Sequence, residues 1–506
     1  MTVRVYNSLT REKEPFAPLT AGQVGMYVCG VTVYDLSHIG HARSAIVFDV
    51  IRRYLAFAGH QVTFVKNFTD VDDRIIQRAQ TGGVPTSEVS ERYIEAYRAD
   101  MEALGVLAPD VEPKATEHVP QMLQLIERLL TSGVAYVLEG DVYFEVARFP
   151  GYGKLSGKNL DELLAGARVE VDERKRDPRD FALWKSAKPG EPSWDSPWGP
   201  GRPGWHIECS AMAMQYLGES FDIHGGGEDL IFPHHECEIA QSEAVTGRPF
   251  ARYWIHNGFV NMGAEKMSKS LGNTVTIRDL ARRHDPEALR LYLIGTHYRA
   301  PVEWTEEGVT DSARALERLR DLVHGEKELE ADPTSERGTL PEQVSAFAAR
   351  FQGAMEDDFN TPQALAAIFD LASALYTYRD QMLQGKRAAE PFRDGIAALT
   401  AHAGALGLLQ GPGLRREGWG FIPRTADGSL RARPTPHHVF TAPPVDAPAG
   451  WWTPTRARIE ALVGQRDEAR GRREWARADE IRAELSAMGA RIEDTPVGTR
   501  WKWKSL

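Results

Sequence analysis

The stretch VCGVTVYDLSHIGHAR, residues 28–43, joins a strand-like sequence to the beginning of a helix. Its first part is rich in β-branched and aromatic residues, and ARSAIVFDVIRRYLAFAG, residues 42–59, has helical spacing and ends on Gly59 as a C-terminal cap. QVTFVKNFTDVDD, residues 61–73, then begins as an apolar strand and ends in a Thr/Asp cluster. This order predicts a βαβ unit, and therefore a parallel sheet whose ligand lies at the carboxyl ends of the strands.

The bulk composition is that of a globular chain. Its 506 residues are too many for one core, so about two to four domains are expected. There is no long apolar run and no apolar leader, and three cysteines are too few for a disulfide framework, which predicts a protein of the reducing cytoplasm with no membrane contact. The net charge of −11 argues against a general polyanion binder. A nucleic acid would have to meet a local patch, such as residues 451–506, whose charge is +3.

The patterns along the rest of the chain suggest further divisions. An insertion of short strands and Gly/Pro/Trp-rich turns separates two halves of the sheet, and a long helical region follows the second half. We expect seven segments: 1–135, the first half of a Rossmann-like α/β domain; 136–200, the insertion; 201–260, the second half; 261–320, a Lys/Ser loop and the segment after it; 321–410, a helical bundle; 411–450, a Pro/Gly-rich linker or insertion; and 451–506, a small C-terminal module.

Two histidines and a glycine, His38, Gly40 and His41, lie where the predicted strand leads into the helix. The free N–H groups and dipole of the helix favour an anion there, and imidazoles can donate to phosphate oxygens as charge develops on them. Gly40 allows a flat ring or a phosphate to approach the backbone closely. Taken alone, the pattern is equally compatible with two ordinary histidines at a helix start.

A cationic loop is predicted at EKMSKSLGN, residues 265–273, where two lysines flank a Met-Ser pair. Such a loop can close on a triphosphate and stabilise a pyrophosphate leaving group. A solvated basic turn is the alternative for an isolated Lys/Ser run. The loop and the histidine pattern together, on the same kind of sheet, favour nucleotide chemistry.

Thiols, imidazoles and carboxylates suggest a metal site. His234 and Glu238 are four residues apart, so they share one face of the helix that is predicted to begin at Pro233. With Cys29 and Cys209 they would form a donor set that suits Zn²⁺. The spacing leaves two buried structural cysteines as the alternative, and it leaves other candidate ligands open, namely His206, His224, His235 and Cys237.

These motifs together resemble the class I aminoacyl-tRNA synthetases, and within them the cysteinyl-tRNA synthetase family. The similar segments are VTVYDLSHIGHAR, NFTDVDDRII, ATEH, GWHIECSAM, DIHGGGEDLIFPHHECEIAQ, KMSKS, MEDDFNTPQAL and the ending ARADEIRAEL…IEDTPVGTRW. The resemblance runs nearly end to end and leaves only 411–450 as additional sequence. It implies a ligase that activates L-cysteine with ATP to cysteinyl-adenylate, releases pyrophosphate, and transfers cysteine to the 3′-terminal adenosine of tRNA(Cys).

The resemblance also implies roles for residues of this chain. They are zinc binding by Cys29, Cys209, His234 and Glu238; catalysis by His38, His41, Lys266 and Lys269; ATP contact by Gly40, Asp229 and Lys269; a cysteine pocket of Gly30, Thr69 and Trp205; and tRNA contact by Arg500 and Trp501. One Zn²⁺ per chain and Mg²⁺ with the ATP are expected, as is a monomer. Segment 321–410 would bind the anticodon stem and 451–506 would recognise the anticodon, with further stem contact from 261–320.

The chain departs from the family's pattern at two positions, where Val31 replaces the usual proline and Cys237 replaces the usual asparagine. Cys237 lies three residues after His234 and competes with Glu238 as a ligand, but Glu238 is preferred. The implied zinc would select cysteine because a thiol becomes a bound thiolate readily, whereas a serine hydroxyl does not. No editing domain is therefore expected.

Two other functions share parts of this pattern. A ligase that joins activated cysteine to an amino-sugar would lack the module at 451–506. A catalytically inactive binder of tRNA or zinc would have lost signature histidines or lysines. The chain has the module and retains the signature residues.

Overall fold

The computed structural model describes residues 3–157, 174–263, 265–266, 275–325, 336–410, 420–423, 452–488, 490–495 and 498–503. The chain divides into two compact units. The first comprises Met1–Ala313, Gly353–Gln363 and Ala405–Gly407, and the second comprises Arg314–Gln352, Ala364–Gly404 and Leu408–Leu506. Among the described residues, no helix combines the length and the apolar character that crossing a bilayer requires.

Both helices and strands occur through the first 303 residues. In chain order they are β1 (Arg4–Asn7), β2 (Glu12–Pro15), β3 (Gln23–Thr32), α1 (Ile39–Phe57), β4 (Gln61–Thr69), α2 (Asp73–Gly82), α3 (Thr86–Ala103), α4 (Val119–Thr131), β5 (Ala135–Leu138), β6 (Asp141–Phe144), β7 (Phe181–Ser186), β8 (Gly201–Pro203), α5 (Trp205–Leu217), β9 (Phe221–Gly227), α6 (Glu236–Thr246), β10 (Ala251–Asn257), β11 (Val260–Met262), β12 (Glu265–Lys266), α7 (Ile277–Arg283), α8 (Pro286–Ile294) and β13 (Val302–Glu303).

The remaining elements are mostly helical. They are α9 (Glu306–Gly325), α10 (Leu340–Glu356), α11 (Thr361–Leu383), α12 (Glu390–Ala405), β14 (Gly420–Pro423), α13 (Trp452–Gly471), α14 (Trp475–Ala487), β15 (Ala490–Thr495) and β16 (Gly498–Trp503).

The first unit is built on a four-stranded parallel sheet in the order β10-β9-β3-β4. Strand β3, helix α1 and strand β4 form the βαβ unit that the opening stretch predicts, which confirms the α/β class. Helix α1 begins at Ile39, a few residues before the periodic segment, because His38 caps its N-terminus. The carboxyl ends of β3, β4 and β9 therefore lie at one edge of the sheet.

An antiparallel sheet of order β5-β6-β7-β8 stands in the chain between α4 and α5. Its interior includes the fully buried Trp184 and the stacked rings of Phe144 and Phe181. These residues are part of the same hydrophobic core as Cys29, Cys209 and Trp254. The inserted sheet and the parallel sheet are thus joined by continuous apolar packing, which fixes the elements around the carboxyl ends of the parallel strands.

The second unit contains a helical region and a small C-terminal module. In the helical region the rings of Phe347 and Phe351 pack against His402, each with its centroid 4.8 Å from that of the histidine. The C-terminal module has a small apolar core formed by Ile459, Leu462, Val463, Ile481, Leu485, Ala490 and Ile492. Beside this core, Arg466 donates two hydrogen bonds of 2.7 Å to the carboxylate of Asp494.

The Arg466–Asp494 pair should stabilise the C-terminal module. Partial burial would raise the pKa of Asp494, but the hydrogen bonds and charge of Arg466 outweigh that effect and lower the pKa to about 2. Because this pKa lies below that of the unfolded chain, the stabilisation is present above about pH 4 and is lost as the pH falls toward 2. We expect Asp494→Asn to reduce the free energy of unfolding of this module by roughly 1–2 kcal/mol at pH 7.

Calorimetry of the full chain from about pH 2 to 8 would test this expectation. The matched control is Glu468→Gln, which removes the exposed ion pair between Glu468 and Arg472. Such pairs contribute less than about 1 kcal/mol. Equal effects of the two substitutions, or a deficit in Asp494→Asn that grows as the pH falls below 4, would contradict the assignment.

Candidate active site and metal centre

The carboxyl end of β3 bulges at Cys29 and Gly30, since its pairing with β4 shifts between Val28 and Val31. The Gly30 N–H donates to Asn67 Oδ1 at 2.8 Å, and a Cβ atom at position 30 would stand 1.5 Å from the Asn67 carbonyl oxygen. Only glycine fits this close approach. The bulge thus requires Gly30 and places the Cys29 thiol beside α5.

Four donors from separate elements meet at this point. Cys29 Sγ lies 3.6 Å from Cys209 Sγ of α5 and 3.4 Å from Glu238 Oε1 of α6. His234 Nε2, from the turn before α6, lies 3.1 Å from the same carboxylate oxygen. The four ligand atoms are within 4.8 Å of one another, and all four residues are buried. The structure therefore brings together the four residues that the resemblance implies as ligands.

A second, overlapping group of donors also satisfies this distance criterion. It replaces Cys209 and His234 by His224 and His235. However, His224 Nε2 lies 2.8 Å from Glu238 Oε2, whereas Cys29 Sγ and His234 Nε2 both contact Glu238 Oε1. Neither group includes Cys237 within the part of the chain that the structure describes. The Cys237 sulfur instead lies 3.3 Å from the hydroxyl of Tyr152.

Two of the competing histidines contact the donors from outside. His206 Nδ1 lies 2.9 Å from His234 Nδ1, which leaves His234 Nε2 directed toward Glu238. His224 Nε2 contacts Glu238 through Oε2, the carboxylate oxygen that His234 does not contact. Such outer contacts set the orientation of metal ligands. The geometry therefore favours the set with two thiols, with His206 and His224 as its supports.

The chemistry of this donor set fits zinc. Burial raises the pKa of the Cys29 and Cys209 thiols and lowers that of the His234 imidazole. Uncharged thiols and a neutral imidazole are therefore expected there without a cation, and a dication would favour the thiolates. Two sulfurs, one nitrogen and one oxygen suit Zn²⁺, whereas Mg²⁺ and Ca²⁺ require more oxygens.

The signature histidines are arranged at the start of α1. The rings of His38 and His41 are stacked with their centroids 3.9 Å apart. The Gly40 N–H donates to His38 Nδ1 at 3.1 Å, and the His38 N–H donates to His41 Nδ1 at 3.2 Å. Because each Nδ1 accepts a hydrogen bond, Nε2 is the donor nitrogen of both neutral rings. A Cβ atom at Gly40 would stand 2.9 Å from the His38 ring.

A cavity of about 550 Å³ extends from Cys29 of the donor set to His38 and His41. The residues implied by the resemblance that line it are Cys29, Gly30, His38, Gly40, His41, Trp205 and Asp229. Trp205 is partly exposed, and its ring stacks on His234 at a centroid distance of 4.2 Å. Tyr34, Lys66, Arg74 and Asn257 are among the further lining residues that the sequence did not single out.

The other implied site residues are placed as follows. Thr69 is buried and its hydroxyl donates to Glu208 at 2.9 Å, next to Cys209 in sequence. Lys266 lies in β12 and its side chain is outside the described residues, as is the whole of Lys269. The backbone of β16 pairs Arg500 and Trp501 with β15 and β14, but the two side chains are outside the described part.

Comparisons with known proteins extend these observations. Residues 15–314 match the family described as the tRNA synthetases class I (C) catalytic domain, and residues 350–410 match the DALR domain. The cysteine–tRNA ligase of Syntrophobacter fumaroxidans is 51% identical to this chain, covering 99% of this chain and 100% of that protein. The cysteine–tRNA ligase of Geobacter sulfurreducens is 50% identical, with 100% of both chains covered.

Solved structures support the fold. Mycobacterium tuberculosis methionyl-tRNA synthetase in complex with methionyl-adenylate has a TM-score of 0.57 at 16% identity, over 76% of this chain and 89% of that one. The Agrobacterium radiobacter K84 agnB2 LeuRS-tRNA-LeuAMS ternary complex has a TM-score of 0.56 at 12% identity, over 95% of each chain. At these identities the likeness concerns the fold alone.

Proposed function

Because the chain belongs to the cysteine–tRNA ligases of the class I synthetases, we propose that Cys29, Cys209, His234 and Glu238 hold one Zn²⁺ ion that selects the substrate thiol. The protein is an ATP-dependent ligase with cysteine, ATP and tRNA as its substrates. The observation that carries the proposal is the convergence of the four donors within 4.8 Å, with Cys29 lining the cavity that His38 and His41 also line.

The residues at one end of the cavity bind the cysteine side chain, and those at the other end bind the phosphates of ATP. When bound, zinc would supply a soft-leaning Lewis acid that favours a thiolate over a hydroxyl. Trp205 stacks on His234 and forms one wall of the cysteine pocket, and Gly30 lines the cavity beside Cys29. The cysteine carboxylate is thereby directed toward the end of the cavity where His38 and His41 lie.

The two histidines act on the phosphates. The cysteine carboxylate attacks the α-phosphorus, a new oxygen–phosphorus bond forms, and pyrophosphate leaves with the electron pair of the broken bond. His38 and His41 donate through Nε2 to phosphate oxygens on which negative charge increases, and the free N–H groups of α1 add to this field. Lys266 and Lys269 balance the charge of the leaving group, and Asp229 holds the ATP ribose; a Mg²⁺ ion bound with the ATP would supply further positive charge.

The adenylate is then used to charge tRNA(Cys). The 3′-terminal adenosine attacks the cysteinyl carbonyl, and AMP leaves. Residues 321–410 contact the anticodon stem, and Arg500 and Trp501 of β16 contact the anticodon by phosphate pairing and base stacking. The chain acts as a monomer. The match of residues 350–410 to the DALR domain supports the proposal that the helical region contacts the anticodon stem.

Zinc titration of the metal-stripped protein tests the metal proposal. We expect one Zn²⁺ per chain. Burial raises the pKa of the Cys29 and Cys209 thiols, so they are protonated at neutral pH and must each lose a proton on binding. The pKa of His234 is lowered, so this residue contributes no further proton. The logarithm of the apparent affinity should therefore rise by about 2 per pH unit between about pH 6 and 8.

The measurement is competition with a chelating dye at several pH values, paired with cysteine-dependent ATP–pyrophosphate exchange. Stripping the metal should abolish exchange, and one equivalent of Zn²⁺ should restore it. A slope near zero, or full exchange by stripped protein, would refute the proposed ligands.

A further inference from the structure

A turn of the inserted segment packs against the helix that carries Glu238. This turn, residues 149–157, follows β6 and is folded by its own main-chain hydrogen bonds, for example from Tyr152 N–H to the Phe149 carbonyl and from Gly157 N–H to the Gly153 carbonyl. Leu155 of the turn is buried. The turn therefore has a defined shape with which to contact α6.

The main contact is a buried carboxylate on α6. The N–H groups of Leu155 and Ser156 donate to Glu236 Oε2 at 3.1 and 2.8 Å. Glu236 has no exposed surface. Two further contacts join the same surfaces: Tyr152 with Cys237 at 3.3 Å, and an ion pair between Lys154 and Glu243.

The helical period places these contacts behind the proposed metal ligands. His234 and Glu238 are four residues apart and meet on one face of the helical segment. Glu236 lies two residues before Glu238 in α6, so at about 100° per residue it points to nearly the opposite side of this helix from Glu238. Glu243 lies seven residues after Glu236, about two turns along the same side. The turn thus contacts α6 on the side that lies opposite the proposed metal ligand Glu238.

We propose that Glu236 is a positioning residue that fixes the rotation and height of α6, and through them the places of His234 and Glu238 beside Cys29 and Cys209. The inference rests on the metal site proposed above. An apolar side chain could fill the same space, but it would not lock α6 to two successive amides as the carboxylate does. A rotation of about 10° would move a donor about 6 Å from the helix axis by about 1 Å, which exceeds the tolerance of metal–ligand distances.

Substitution of Glu236 tests this inference. Relative to wild type, we expect Glu236→Ala to weaken zinc binding by at least about 10-fold and to shift the visible spectrum of the cobalt-substituted protein, as loss of an outer support does. The KM for cysteine in pyrophosphate exchange should rise by a similar factor, while the KM for ATP changes by less than about 2-fold. Glu236→Gln keeps an oxygen acceptor for the amides and should recover most of the zinc affinity.

Asp222→Ala is the matched control. Asp222 is also a buried carboxylate that accepts two main-chain N–H groups, from Leu19 at 2.6 Å and Gly25 at 2.8 Å, but it lies at the amino end of β9. Its loss should lower the melting temperature without changing zinc affinity or the cobalt spectrum. If Glu236→Ala does not fold, Tyr152→Phe serves instead, with an expected weakening of zinc binding of about 2- to 3-fold.

The outcomes separate the two proposals. Wild-type protein that binds no zinc would refute the metal site itself. Wild-type binding that is unchanged in Glu236→Ala, or in Tyr152→Phe where the alanine variant does not fold, would overturn the positioning role. Equal weakening by Asp222→Ala would also overturn it, because the effect would then be general destabilisation. Zinc binding that is weakened by substitution of Glu236 or Tyr152, but not by Asp222→Ala, supports the positioning role.

Discussion

Cys209→Ser is expected to release the bound zinc and to lower kcat/KM for cysteine in ATP–pyrophosphate exchange by about 10³-fold, equivalent to about 4 kcal/mol. Cys209 Sγ lies 3.6 Å from Cys29 Sγ in the buried donor set, so it is the natural partner of the first thiol. A serine hydroxyl is far less acidic than a thiol and is a poor ligand for Zn²⁺. Three donors would remain, one of them a buried carboxylate with its charge no longer compensated.

The control for this substitution is Cys237→Ser. Cys237 is an equally buried thiol on α6, but its sulfur contacts Tyr152 and belongs to neither candidate donor group among the described residues. Because a serine hydroxyl can still hydrogen-bond to Tyr152, zinc content and the KM for cysteine should stay close to wild type. Metal analysis, the exchange assay and thermal unfolding of both variants would test whether zinc and cysteine activation depend on Cys209 but not on Cys237. Normal cysteine activation by Cys209→Ser without its metal would show that selection does not depend on the thiolate–zinc contact.

The βαβ core was predictable because its signal is local. Alternating and helical periods within residues 23–69 define β3, α1 and β4, and the histidines at the helix start follow from position alone. The location of the site at the carboxyl ends of the strands follows from the parallel sheet. These statements require no knowledge of distant contacts.

The choice among ligands was not predictable from spacing. Cys237 and Glu238 are both close to His234 in sequence, and only the packing of the inserted turn shows that the Cys237 sulfur contacts Tyr152. Likewise, His206 and His224 are candidate ligands by composition, but they contact His234 and Glu238 across 28 and 14 residues. Such contacts depend on how a helix and a strand pack against each other in the folded protein. The local sequence pattern does not predict this packing.

The inserted segment shows the same limit. Its short strands and Gly/Pro-rich turns predict an insertion, but the pattern contains no sign that Leu155 and Ser156 bind a carboxylate about 80 positions later. The buried Glu236 is conspicuous only in the folded protein, where burial of a charged group requires partners. Buried charges are therefore the residues for which a structure adds most to sequence analysis.

His38→Asn should separate catalysis from folding at the other end of the cavity. Asparagine is a good N-cap, so helix α1 should still begin at Ile39, but the donor nitrogen Nε2 is lost. We expect kcat for cysteine activation to fall by about 10²- to 10³-fold, the range for removing one donor that faces developing charge. Zinc content, the KM for cysteine and the melting temperature should change little, because the four metal donors are untouched.

His60→Asn is the control, since His60 follows the opposite end of α1 and its ring contacts Phe16 at a centroid distance of 6.0 Å. It should leave kcat near wild type. Pre-steady-state measurement of adenylate formation would isolate the chemical step from tRNA charging. If His38→Asn instead lowered the melting temperature and left kcat of the folded fraction unchanged, the histidine would serve as a cap alone. The stabilisation of the transition state would then rest on His41 and the backbone N–H groups of α1.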